Sequence, residues 1–300
     1  MKSLIENIDN NGAYVKYYLQ EPNKEIDIDR KYPTIVICPG GAYFWTSYRE
    51  DEYVALKFLS EGFNVAVVHY ATEGLEAMNV EKEEDLPKNP VSKFPNPLIS
   101  LAKVVKNIRE HSKEWSVDEN YIIVGGFSAG GNLTAQYGTL WNQKWLSEKL
   151  ECDSELLKPT HLMLAYAALN LKYEKNDKNR VIYAATGKFN PTNEELQYIN
   201  PIRNVSKDTP PSFIWHTLED VLVPATDSLE FALELNKYEI PYELHIFNKA
   251  KHGLVLGDLM TGVKADQANA QVYKWVDLFI EWLSPYKTIR RSFYKGIEKK

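Results

Sequence analysis

Residues 121–132, Tyr-Ile-Ile-Val-Gly-Gly-Phe-Ser-Ala-Gly-Gly-Asn, constrain the fold more than any other stretch of the chain. An apolar, β-branched run leads directly into a serine flanked by glycines, and a helical pattern follows from Ala129 to Trp141. Strand, tight turn and helix in immediate succession form the repeating unit of a parallel sheet, which needs helices to cover its faces. Within that unit, Gly126-Phe127-Ser128-Ala129-Gly130 reads as GxSxG. The two glycines let the backbone close the turn, and the central hydroxyl is raised at the end of the strand. Ser128 is therefore the candidate nucleophile. A purely structural Gly-rich turn is the plain alternative, and a phosphate loop fails for want of GxxxxGK[ST] or GxGxxG.

Strand-sized runs recur at Tyr14–Leu19, Thr34–Cys38, Asn64–His69, Tyr121–Val124, His161–Ala165, Ser212–His216 and Glu243–Phe247. Helical patterns lie at Asp51–Glu61, Pro97–Glu110, Ala129–Trp141, Ala225–Lys237 and Ala265–Leu283. In the first of these, Val54, Ala55, Phe58 and Leu59 share one apolar face. The alternation predicts an α/β fold over residues 1–300, with a mainly parallel sheet between two helical layers. Two stretches interrupt it. Residues 71–96 are acidic and proline-broken, a surface insertion; residues 170–210 are polar, with a short helical pattern at Asn193–Tyr198, and read as a small cap. Long connections of this kind often border binding sites. The end of the chain, 284–300, is a basic tail read as solvated.

Charge and composition exclude several classes of function. Thirty-five Lys and Arg against 41 Asp and Glu leave a net charge of −6, the wrong sign for a partner built of phosphates. Nucleic acid is not expected. No run approaches the roughly 20 apolar residues of a membrane span. Glu6 and Asp9 interrupt the N-terminus where a secretory leader would be apolar, so a cytoplasmic location without membrane contact is expected. Cys38 and Cys152 lie far apart with no CxxC, which suggests neither a disulfide framework nor a zinc site. Cys38 reads as a buried core thiol.

A serine that transfers acyl groups needs donors for the oxyanion. The strand ending in Cys38-Pro39-Gly40-Gly41-Ala42 opens into a turn able to offer the N–H groups of Gly41 and Ala42, joined by that of Ala129. A general base placed last in the chain points to His252, in a loop after the final strand. The other histidines, His69, His111, His161, His216 and His245, fall within or at the ends of strands and helices. The acid should follow the strand Ser212–His216, where Glu219 and Asp220 compete; Asp220 is the preferred partner for the imidazole.

With Ser128, Asp220 and His252 in that order, the chain resembles the α/β-hydrolase fold over roughly residues 31–283. It is most similar to bacterial acetyl, xylan and feruloyl esterases and to hormone-sensitive-lipase-like carboxylesterases. The likeness rests on Pro39-Gly-Gly-Ala-Tyr43, residues 126–132, Pro210 to His216, Asp220 to Pro224 and His252-Gly253. It departs from the lipase-like His-Gly-Gly-Gly at Pro39 and Ala42, and carries Thr217 where many relatives have glycine. The resemblance implies hydrolysis of short-chain, acetyl-type esters, including those of carbohydrates, through an acyl-enzyme, with no metal and no cofactor. It also implies a homodimer and a small-molecule ester as the partner. Tyr43, Phe44 and Phe127 are the expected pocket lining, with Trp45 beside them. An amide hydrolase, peptidase or arylformamidase on the same fold, or a non-catalytic small-molecule receptor, are the alternatives.

Overall fold

The computed structural model describes residues 1–80, 82–171, 180–264 and 267–283. Eight strands form one sheet: β1 (Lys2–Asn7), β2 (Tyr14–Leu19), β3 (Tyr32–Cys38), β4 (Asn64–His69), β5 (Val117–Phe127), β6 (His161–Ala165), β7 (Ser212–Thr217) and β8 (Tyr242–Phe247). Their order is β1-β2-β4-β3-β5-β6-β7-β8. β1 and β2 pair antiparallel, as do β2 and β4, and every later pairing is parallel. The helices are α1 (Glu52–Ser60), α2 (Leu75–Asn79), α3 (Asn96–Glu110), α4 (Ser128–Leu140), α5 (Lys144–Lys149), α6 (Arg180–Thr186), α7 (Asn193–Ile199), α8 (Thr226–Lys237) and α9 (Trp275–Trp282).

The period of two along each strand divides the core. Val36, Cys38, Ala66, Val68 and Val124 point into one cluster with the buried faces of α3, α4 and α8. Ile35, Ile37, Val65, Val67 and Ile123 point into the other, against α1 and α9. Strands buried on both faces read as continuous apolar runs, which is why β3, β4 and β6 were visible in the sequence. β1 was not: five of its six residues are exposed, because an edge strand needs no apolar face. The final helix is also shorter than its pattern suggested. A 3-10 turn spans Val272–Lys274 before α9, and residues 265–266 lie outside the described chain.

The two interrupting stretches meet. Ser92 Oγ donates to Ala184 O and to Glu73 Oε1, the Phe94 N–H donates to Ala185 O, and Arg180 reaches the carbonyls of Met78 and Val80. α7 carries a full capping box, Thr192 with Glu195, at the helix expected there. The first stretch holds α2 and is tied to the segment after β3, with Glu73 N–H on Tyr43 O and Gly74 N–H on Phe44 O. Residues 172–179 of the second stretch and the basic tail, 284–300, are outside the described residues. Among the described residues no helix is long and apolar enough to cross a membrane.

Candidate active site

β5 delivers Ser128 at its C-terminal end. Ser128 has φ +52°, a conformation a side chain adopts only when the surroundings enforce it. The enforcing contact is a close approach of α4 to β3. A Cβ on Gly130 would stand 2.1 Å from Cys38 O and 2.4 Å from Pro39 O, so only glycine lets the first turn of α4 seat there. Ser128 remains half-buried and accessible.

Two further strand ends supply its partners. The loop after β8 brings His252 Nε2 to 2.8 Å from Ser128 Oγ, and His252 Nδ1 to 2.6 Å from Asp220 Oδ2, in the turn after β7. A carboxylate only accepts, so Nδ1–H donates to Asp220 and the neutral ring leaves Nε2 free to accept the serine proton. The Asp220 side chain is wholly buried, while His252 keeps 15% of its side-chain surface exposed, enough for a reactant to reach it. The neighbouring acid, Glu219, is exposed to solvent, and it is Asp220 that meets the imidazole. Burial works to raise the Asp220 carboxyl, but His216, His252 and the Val223 N–H together hold it well below the usual carboxylate range. Oδ1 accepts from the N–H groups of Leu222 and Val223, each at 2.9 Å, and His216 Nε2 lies 3.3 Å from Oδ2. That carboxylate is ionised and fixed from four directions.

The turn after β3 lies beside the serine. A Cβ on Gly40 would be 2.9 Å from Ser128 Cβ. Gly41 takes φ +130°, open to glycine alone, and its carbonyl accepts from the N–H groups of Phe44 and Trp45. Gly40 N–H is bound to Glu50 Oε2 at 2.6 Å. Among the described residues no acceptor meets the N–H groups of Gly41 and Ala42. Ala129 lies in the first turn of α4, where an N–H has no intrahelical acceptor. Three N–H groups without an acceptor among the described residues thus lie in the segments next to the hydrogen-bonded Ser128, His252 and Asp220.

The pocket lining is a correction. Phe127, Tyr43 and Phe44 are all buried in the core, leaving no surface for a ligand. Phe127 alternates away from α4 and packs on Tyr166 and Trp275. Tyr43 turns inward because its hydroxyl finds Asn132 Oδ1 at 2.7 Å. Trp45 remains half-buried beside Gly41. The residues that sequence reasoning missed are Arg49, Glu50 and Tyr166. None carries a local motif, since each acts across the fold on a partner distant in the chain.

The BD-FAE family model matches residues 22–235, more than half of the chain. The chain belongs to the BD-FAE family. Among curated relatives of this BD-FAE member is Endo-1,4-beta-xylanase B of Butyrivibrio fibrisolvens, 28% identical over 231 residues. That match covers 77% of this chain, but the chain spans only 34% of the relative's length. The carboxylesterase Cest-2923 from Lactobacillus plantarum superposes with a TM-score of 0.80 over 95% of this chain and 98% of its own, at 23% identity, a likeness of fold. The acetyl ester-xyloside bifunctional hydrolase from Caldicellulosiruptor lactoaceticus superposes at TM-score 0.70 with 28% identity, covering 91% of this chain and 88% of its own. The BD-FAE chain has the α/β-hydrolase fold, with its site-bearing segments at the carboxyl ends of the parallel strands β3, β5, β7 and β8.

Proposed function

We propose that this chain is a serine carboxylesterase that hydrolyses short-chain, acetyl-type esters, including acetyl groups on carbohydrates. The observation that carries the reading is the unbroken hydrogen-bonded chain from Ser128 Oγ through His252 to Asp220. Ser128 attacks the ester carbonyl as His252 Nε2 takes its proton, and the N–H groups of Gly41, Ala42 and Ala129 hold the oxyanion. His252 then returns the proton to the departing alcohol, leaving an acyl-Ser128. Water, deprotonated by His252, releases the acid and restores the serine. Asp220 fixes the ring and stabilises the imidazolium at each stage. The acetyl and xyloside chemistry named for the Caldicellulosiruptor protein, and the xylanase name of the Butyrivibrio relative, support a carbohydrate ester as substrate. All three reacting groups come from one chain, so the expected homodimer is not needed for the chemistry. Both cysteines are free thiols, which suits the cytoplasmic setting expected for it.

The test is hydrolysis of p-nitrophenyl acetate and butyrate, and of acetylated xylo-oligosaccharide, by the wild type and Ser128→Ala. Removal of a serine nucleophile lowers kcat by about 10⁶-fold where the triad acts as a unit. A folded Ser128→Ala variant with wild-type turnover refutes the reading; acetate favoured over butyrate sharpens it.

A further inference from the structure

We infer that Glu50 is a positioning residue that ties the oxyanion turn to the wall behind His252. The inference rests on the esterase reading of this site. Glu50 ends the short 3-10 turn Tyr48–Glu50 and is buried. Its two carboxylate oxygens are divided between the two halves of the site. Oε2 accepts the Gly40 N–H at 2.6 Å, and Oε1 accepts the Tyr166 hydroxyl at 2.7 Å. Both bonds are short and lie inside the protein. The Tyr166 ring stands against the His252 imidazole, with centroids 4.9 Å apart and planes at 71°.

Gly40 has no slack of its own. A Cβ there would meet Phe127 O at 2.8 Å and Glu50 Oε2 and Ser128 Cβ at 2.9 Å each, so the turn, the acid and the serine elbow are in direct contact. By occupying the Gly40 N–H, Glu50 sets how the following residues, Gly41 and Ala42, present theirs. Arg49, on the same turn, donates to Gly253 O at 2.7 Å and to Thr261 O, holding the His252 loop. The titratable and charged groups facing Glu50 are Tyr166, Tyr70, His252 and Arg49. Burial holds its carboxyl above the usual carboxylate range, the bonds from Tyr166 and Gly40 and the nearby His252 and Arg49 opposing that rise only in part. Once ionised, Glu50 places a negative charge near His252 that favours the imidazolium formed in each half-reaction.

Glu50→Gln keeps the shape and removes the charge, since its amide can accept from Gly40 and donate to the tyrosine oxygen. Glu50→Leu removes both bonds. In the full chain with p-nitrophenyl acetate, Glu50→Gln is expected to lower kcat about tenfold and Glu50→Leu about 100-fold, with KM nearly unchanged, because the donors act on charge that develops in the transition state. The acid limb of the kcat profile is expected at lower pH in both variants, a shift that loosened packing alone would not give. Tyr166→Phe, which spares the ring contact and removes the hydroxyl, is expected to lower kcat several-fold and stands in if Glu50→Leu does not fold. Wild-type kcat and an unmoved acid limb in folded Glu50→Gln overturn the inference. The same outcome alongside an inactive Ser128→Ala leaves the esterase reading intact, whereas an active Ser128→Ala removes that reading first.

Discussion

The two sides of the site are built by different means. On the serine side, one continuous stretch of chain makes a strand, an elbow and a helix, and α4 sits so close to β3 that a single methyl group at Gly130 would overlap a carbonyl. On the histidine side, His252 rides on the long loop after β8, where Leu259 and Met260 are exposed, and Arg49 secures it from 204 residues away. Backbone packing places Ser128; side-chain hydrogen bonds hold His252 and Asp220. Substitutions that disturb packing on the first side should therefore cost stability, and those of hydrogen-bonding groups on the second should cost rate in a protein that still folds.

After loss of the Ser128 hydroxyl itself, the largest expected effect is on the second side. In Asp220→Asn the amide can offer an N–H to His252 Nδ1, favouring the tautomer that turns a donor toward Ser128, and kcat is expected to fall by about 10⁴-fold with the fold retained. Stability reports on the same carboxyl through pH. A carboxyl held below its ordinary value, near 3.9, contributes stability above that pH and loses it as pH falls through the folded value. Thermal melts of wild type and Asp220→Asn should differ at pH 7, with the gap starting to narrow below about pH 4 and still narrowing as pH falls further. A gap that stays constant on acidification would show that the interactions of Asp220 are no stronger in the folded chain than in the unfolded one.

Next in size is Gly130→Ala on the serine side. The new methyl faces Cys38 O and Pro39 O, which belong to backbone and cannot swing away. Overpacking of this kind costs about 3 kcal/mol, read as a lower urea midpoint at unchanged slope. Wild-type stability in this variant would break the contrast between the two sides, because the elbow would then have room to spare.

The same contrast explains what could be read from the sequence. β2, β4 and β6 were found to the residue, and the strand, elbow and helix around Ser128 were legible because they are contiguous in the chain. Asp220 and His252 could be proposed from order and loop position, but the choice of Asp220 over Glu219 needed the distance to His252. Glu50 left no trace, since Gly40 and Tyr166 approach it only in the folded chain. His216 was legible as the end of a strand and nothing more. Its ring is pinned between Ser228 Oγ at 2.8 Å and Val223 O at 3.0 Å before it faces Asp220. The aromatic residues after Gly41 were misread because apolar character marks burial, and burial is equally served by a core or a pocket.

The smallest expected effect gives the sharpest discrimination. Arg49 spans the carbonyls of Gly253 and Thr261 with one planar guanidinium, from a half-buried position. Lysine carries the same charge but a single donor point, so Arg49→Lys can satisfy one carbonyl and release the other. The loop then holds His252 less tightly, and a displacement of a fraction of an ångström at Nε2 lengthens its bond to Ser128. A misplaced catalytic group can cost up to about 100-fold; here, with one anchor kept, about tenfold in kcat is expected. KM and the urea midpoint should stay near the wild-type values, because Leu254, Val255 and Leu256 of the loop keep their buried packing when one Arg49 bond is lost. If Arg49→Lys instead loses stability as Gly130→Ala does, with its rate per folded molecule unchanged, then the histidine side is held by packing like the serine side, and the division between them fails.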